Sequence, residues 1–236
     1  MKNQYFGDIN DYRKYGLIRI LGDRGFIKTG ICWMLTPDDS RTDGKFTNYL
    51  DEPKQYGKFD VVLYEFLGEC LKRKIRNVNE IANSDQLSNA VFYDPILEDD
   101  ASQRKQYFSE MFGTFEDVDL IFFDPDNGLE TKSIPMGKKD SSKYLYWSEF
   151  VECYKAGFSI LIYQHFIREK REDFISRIME EIHIKTGCQN IIYFRTSNVV
   201  FFLASQGKHI EYFSKRSKIV SKMWVEQIGV SSKSFP

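Results

Sequence analysis

Apolar residues along the chain gather into short continuous runs, separated by longer stretches where they recur every three or four positions. Residues 30–35, 118–123, 158–163, 190–195 and 199–204 are strand-sized runs with little polar alternation, the pattern of strands covered on both faces. Val91-Phe92-Tyr93 is a shorter candidate ahead of Pro95. Between the runs the period changes to that of a helix. Leu17, Ile20 and Leu21 share a face of a helix over residues 11–24, with Asp11 as its cap and Gly22 and Gly25 as its stop. Further helical faces are Val62, Leu63, Phe66, Leu67 and Cys70; Tyr107, Phe108, Met111 and Phe112; Trp147, Phe150, Val151 and Tyr154; and Phe174, Ile178 and Ile182. A basic helix, about residues 208–228, closes the chain. Strands and helices in alternation predict an α/β fold. It is a single-domain, Rossmann-like three-layer structure with a mostly parallel sheet and a C-terminal antiparallel hairpin turning at Thr196-Ser197-Asn198. No repeat or low-complexity linker divides residues 1–236, so one domain is expected.

With 42% hydrophobic and 16% aromatic residues, 236 residues supply a full core and exclude a disordered chain. The apolar runs fall far short of the roughly 20 residues of a membrane span. Met1-Lys2-Asn3-Gln4-Tyr5 lacks an apolar signal core, so a cytoplasmic protein with no membrane partner is expected. Four widely spaced cysteines without a CxxC pair argue against a zinc site and a disulfide framework. The net charge of −1 conceals a gradient: residues 1–131 carry 16 Lys and Arg against 24 Asp and Glu, residues 132–236 carry 17 against 10. A basic half of this kind suits phosphate contact and makes nucleic acid, DNA in particular, the expected partner. Two oppositely charged solvated faces are the alternative.

Open α/β sheets bind ligands beyond the carboxyl ends of their strands. Three such ends are polar here: Thr36-Pro37-Asp38-Asp39, Asp124-Pro125-Asp126-Asn127-Gly128 and Gln164-His165. Asp124, Asp126 and His165 are the catalytic candidates, because two carboxylates and an imidazole provide acid–base and anion-stabilising chemistry. Which of the two aspartates faces a cleft is open, since neighbours on extended chain alternate. Asn127, Gln164, Asp38, Asp39, Lys143 and Arg168 are the substrate-binding candidates, the last two as phosphate contacts. An ordinary turn at 124–128 and a backbone-bonded histidine are the structural alternatives. His183 and His209 are expected at the surface.

Two resemblances attach to these motifs. Phe6-Gly7-Asp8-Ile9-Asn10-Asp11 before a helix, then a strand, then a later strand ending in Asp124-Pro125, is similar in order to the methyltransferases that modify N6 of adenine in RNA and DNA. That resemblance implies a Rossmann-like fold and S-adenosylmethionine. Asp126-Asn127 stand where that family has Pro-aromatic, and Thr36-Pro37-Asp38-Asp39-Ser40-Arg41 replace its glycine-rich loop. Asp124-Pro125-Asp126-Asn127-Gly128 followed by Gln164-His165 also resembles the uracil-DNA glycosylase superfamily, in which an Asp-Pro-x-x-Gly motif precedes a later histidine. The implied roles are water activation or sugar-cation stabilisation by Asp124 or Asp126, base reading by Asn127 and support of the leaving base by His165. In general style the chain is similar to small bacterial proteins of phage-defence loci, which implies a nucleic-acid target, a modified phage base included.

The leading expectation is a DNA N-glycosylase, a hydrolase needing neither metal nor organic cofactor. The alternatives are an S-adenosylmethionine-dependent methyltransferase acting on nucleic acid, a Mg²⁺-dependent nuclease using Asp38, Asp39, Asp124, Asp126 and Glu130, and a non-catalytic binding module.

Overall fold

The apolar runs do become a sheet whose two faces are both covered. A computed structural model describes residues 1–22, 26–39, 44 and 46–236; the expected stop at Gly25 and the pair Ser40-Arg41 lie outside the described residues. Seven strands form the main sheet: β1 (Thr29–Cys32), β2 (Ala90–Tyr93), β3 (Leu120–Phe123), β6 (Ser159–His165), β7 (Asn190–Arg195), β8 (Val199–Ala204) and β9 (Gly229–Ser234). Their order is β2-β1-β3-β6-β8-β7-β9. The first four are mutually parallel, and β8 is antiparallel to both β6 and β7. β4 (Gly128–Leu129) and β5 (Tyr144–Leu145) make a separate two-stranded parallel sheet.

Alternation along the strands sorts side chains into two cores. Ile31, Leu120, Phe122, Leu161 and Tyr163 pack with helices α1 (Ile9–Gly22), α3 (Val61–Lys72) and α8 (Ile210–Met223). Cys32, Ile121, Phe123, Ile160 and Ile162 pack with α5 (Ala101–Thr114), α6 (Trp147–Lys155) and α7 (Arg171–Thr186). This is a three-layer, single-domain, Rossmann-like α/β fold with the antiparallel pair β7–β8 near its C-terminal end. Two single-turn helices, α2 (Pro53–Tyr56) and α4 (Asn79–Ala82), flank α3. Among the described residues, no helix is long and apolar enough to cross a membrane.

Three local details differ from the pattern-based expectation. The cap of α1 is Asp8, whose Oδ1 accepts the backbone N–H groups of Asn10 and Asp11 at 2.7 and 3.0 Å. Asp11 turns inward instead, accepting the Gly7 N–H at 3.0 Å. β9 is a largely exposed polar edge strand that carries no hydrophobic signal and is held by its register with β7. The third detail is His209, expected at the surface, which is buried: its Nδ1 lies 2.9 Å from Ser159 Oγ and its Nε2 3.5 Å from Asp119 Oδ1. That trio sits at the amino end of β6, and Ser159 is fully buried, so it braces the sheet.

Candidate functional site

The chain leaves β1 toward β2 on one side and returns to β3 on the other, so the strand order reverses between β1 and β3. The carboxyl ends flanking this switch point, with that of β6, carry the polar cluster. Parity along β3 sends Asp124 to the same face as Leu120 and Phe122, the face covered by α1. There Lys14 Nζ bridges Asp124 Oδ2 and Asp11 Oδ1, each at 2.6 Å, with all three side chains buried. The ammonium also lies 5.3, 5.6 and 5.8 Å from the ring centres of Tyr15, Trp33 and Tyr163. Burial alone would lower the Lys14 pKa, but the two carboxylates raise it above its ordinary value. Burial pushes the Asp11 carboxyl up, and the nearby Asp124 charge adds to this.

Asp126 occupies a different position from Asp124. Its Oδ1 lies 2.8 Å from the α-ammonium of Met1, and its Oδ2 accepts from Thr36 Oγ1 at 2.8 Å. Burial would raise its pKa, yet the ammonium, Thr36 and Lys2 hold it below the usual range. The same ammonium donates to the carbonyls of Met34 at 3.1 Å and Asp124 at 2.9 Å. Met34 has φ +45°, a left-handed backbone for a bulky residue, two residues past the end of β1. Three oxygens from two strand ends thus converge on one cation.

Beside this cage opens a cleft of about 380 Å³, lined by Lys2, Tyr5, Asp8, Asn10, Asp126, Asn127, Lys143, Tyr163 and His165 with Gly44 and Phe46. A smaller cavity of about 40 Å³ lies beneath, reaching Lys14 and Asp124. Tyr163 and His165 share one face of β6, with Tyr163 Oη 3.1 Å from His165 Nε2. Burial lowers the His165 pKa against the pull of Asp124 and Asp126, so the imidazole is neutral near pH 7. Among the described residues of the cleft, Asp8, pushed up to about 7 by burial and the Asp11 charge, is the carboxyl poised to titrate there.

The structure therefore brings together Asp124, Asp126, Asn127, His165 and Lys143. Lys143 is ion-paired with Asp140 at 2.6 Å, on a loop fastened by buried Arg104, which donates to the carbonyls of Ser141 and Tyr144 and pairs with Glu149. The other three groups of candidates stand elsewhere. Gln164 faces the opposite side of β6: it accepts the Leu129 N–H at 2.7 Å and donates to the carbonyls of Asn127 and His165. It fits against Gly128, φ +116°, where a Cβ would lie 2.3 Å from Gln164 Cδ. Asp38 accepts the Gln4 N–H and Asp39 pairs with Lys2, so both are exposed anchors of the N-terminal segment. Arg168 is exposed on the β6–α7 loop, outside the cleft lining. Glu130 accepts the Trp147 N–H at 2.9 Å. Among the described residues no three His, Cys, Asp or Glu side chains are grouped to hold a metal.

The groups from the N-terminal segment, Met1, Asp8, Asn10, Asp11 and Lys14, were absent from the sequence-derived candidates. Their signal was that Asp11 and Lys14 fall on the same helix face as Tyr15, Ile18 and Leu21, an apolar face that packs inward.

No protein-family model matches the chain, and no curated protein matches it. Among solved structures, protein LPL1258 from Legionella pneumophila, carrying the family label DUF519, is similar with a TM-score of 0.47 and 9% identity over 97% of each chain.

Proposed function

We propose that the chain is a base-directed nucleic-acid enzyme of the S-adenosylmethionine-dependent methyltransferase kind. The observation that carries this reading is the cage between the ends of β1 and β3, where the Met34 and Asp124 carbonyls and the Asp126 carboxylate converge on one ammonium. An α-amino-acid headgroup presents that same charge. The residue supplying it here is itself a methionine, with its sulfur 3.8 Å from Lys14 Nζ. The oxygen set therefore fits the methionyl part of S-adenosylmethionine, whose ammonium would replace that of Met1. Bound there, the cofactor supplies an electrophilic methyl group. The chain's own residues orient and balance charge: Thr36 aims the Asp126 carboxylate, Lys14 neutralises Asp124 beneath it, and His165 contributes a neutral ring to the cleft wall. Lys143 stands at the mouth, where a phosphate of the strand would pass.

The test is mass spectrometry of nucleosides from DNA and RNA incubated with the protein and isotope-labelled S-adenosylmethionine. Labelled methylated nucleosides are expected, and Asp126→Ala should reduce them at least about tenfold, the worth of one charge-assisted hydrogen bond. Calorimetry showing no cofactor binding would sink the proposal. Base excision is the second reading, favoured by a neutral His165 and Asn127 on one cleft; free base released without cofactor is its signature.

A further inference from the structure

The start of α3 meets the end of α8 in an apolar junction. Phe59 stacks on Trp224 with ring centres 5.4 Å apart, and Lys58 Nζ pairs with Glu226 Oε2 at 2.7 Å. Around that contact Val61, Val62, Met223 and Val225 are 55, 58, 50 and 67% exposed. Single apolar residues at a surface need no explanation, but four gathered at one junction do. Val62 and Met223 also line a second cleft, of about 460 Å³, whose walls include Ile18, Leu87 and Ile219. Thr29 and Ala90, the first residues of β1 and β2, lie in the same lining. The cleft therefore opens at the opposite end of the parallel strands from Asp124 and His165.

Charge beside this patch is divided by sign. α3 and α8 both pack on α1. Leaving the junction along α3, Glu65 and Glu69 follow at one-turn spacing; along α8, Lys222 and Lys218 do the same. All four side chains are exposed. Among the described residues none of them is in an ion pair, whereas their neighbour Lys215 is held by Glu211 at 2.6 Å.

We propose that this face joins two copies of the chain about a two-fold axis. With the axis in the contact plane and through the junction, each α3 lies against the α8 of the other copy. Glu65 and Glu69 then face Lys218 and Lys222 across the contact, twice over. A patch of one sign would repel its own copy; this one complements itself. The apolar centre has a seat as well. Met223 of each copy, unbranched and adaptable, enters the cleft of the other between Ile18, Leu87 and Ile219, as a central anchor in a pocket.

The experiment is sedimentation equilibrium of the full chain over a range of concentrations at low salt. The parent should form a dimer that weakens as salt rises. Met223→Glu should raise its Kd at least about thirtyfold, the worth of one anchor, with an unchanged circular dichroism spectrum because the side chain is half exposed. Two charge variants, Glu65→Lys/Glu69→Lys and Lys218→Glu/Lys222→Glu, should each weaken self-association at least about tenfold. Mixed in equal amounts, the two should form a heterodimer, since every facing pair is again of opposite sign. A monomeric parent overturns the proposal and leaves the face to a different protein. A dimer that Met223→Glu leaves intact, or charge variants that stay apart on mixing, overturns it equally.

Discussion

Lys14→Met removes the one cation shared by two buried carboxylates and keeps the length of its stem. Lys14 Nζ stands 2.6 Å from both Asp11 and Asp124, and the side chains of all three are only 2–3% exposed. Stripping one partner from such an arrangement leaves uncompensated buried charge, which costs about 3–5 kcal/mol. The variant has a way to relieve the cost, which is to protonate. Without Lys14 no cation offsets the burial that already pushes the Asp11 carboxyl above its unfolded value of about 3.9. The folded variant then binds more protons than the unfolded chain, and its stability falls as pH rises through that window. Urea denaturation should therefore show a small deficit against the parent near pH 4.5 and about 3–5 kcal/mol at pH 8. The triple variant Lys14→Met/Asp11→Asn/Asp124→Asn should recover most of the loss at pH 8. A deficit below about 1 kcal/mol at pH 8, the worth of an exposed pair, or one that does not change with pH, would refute the charge argument.

Other substitutions probe neighbouring parts of the site. Asp8→Asn keeps the helix cap and removes a carboxyl raised to about 7 by burial. In the parent that group binds a proton on folding between about pH 4 and 7, so stability falls as pH rises through this range; thermal melts should show the variant gaining up to about 4 kcal/mol at pH 8. A pH profile identical to the parent's would contradict this. Gly128→Ala places a Cβ against Gln164 at a φ of +116° and should cost about 2–4 kcal/mol in denaturation experiments. Adding Gln164→Ala should restore only the steric part. Arg104→Met leaves Glu149 unpaired and frees the 141–144 carbonyls. It should cost about 3–5 kcal/mol, with faster hydrogen exchange concentrated around Lys143.

The sheet was legible because burial on both faces writes itself as continuous apolar runs. β7 and β8 occupy the spans their hydrophobicity marks. The start of α1 was less so, since Asp8 and Asp11 are both residue types that cap, and only packing decides that Asp11 faces Lys14. β9 was hidden because Gly-Val-Ser-Ser-Lys-Ser has one apolar residue; its register comes from a partner edge and not from its own side chains. In the site, the polar strand ends and the Asp-Pro turn made Asp124, Asp126 and His165 visible, while parity left the choice between the two aspartates open. Lys14 was not visible, because its partner Asp124 lies 110 residues away in the chain. Asp38 and Asp39 misled for the opposite reason. They follow the right strand, but the N-terminal segment covers that end and uses their charge.

The placement of β8 has a consequence for how the molecule assembles. Residues 199–204 fill the lane between β6 and β7, so until they emerge, β6 is an open edge with unpaired backbone groups. The strand that ends in His165 is thus completed from the far end of the sequence, and the cleft it walls is a late product of synthesis. A chain cut short before residue 199 holds β1, β3 and the Lys14 bridge within reach of one another, yet the β6 wall of its cleft keeps an unpaired edge. Such long-range pairing slows folding, and it ties the site to the arrival of a segment that contributes no side chain to it.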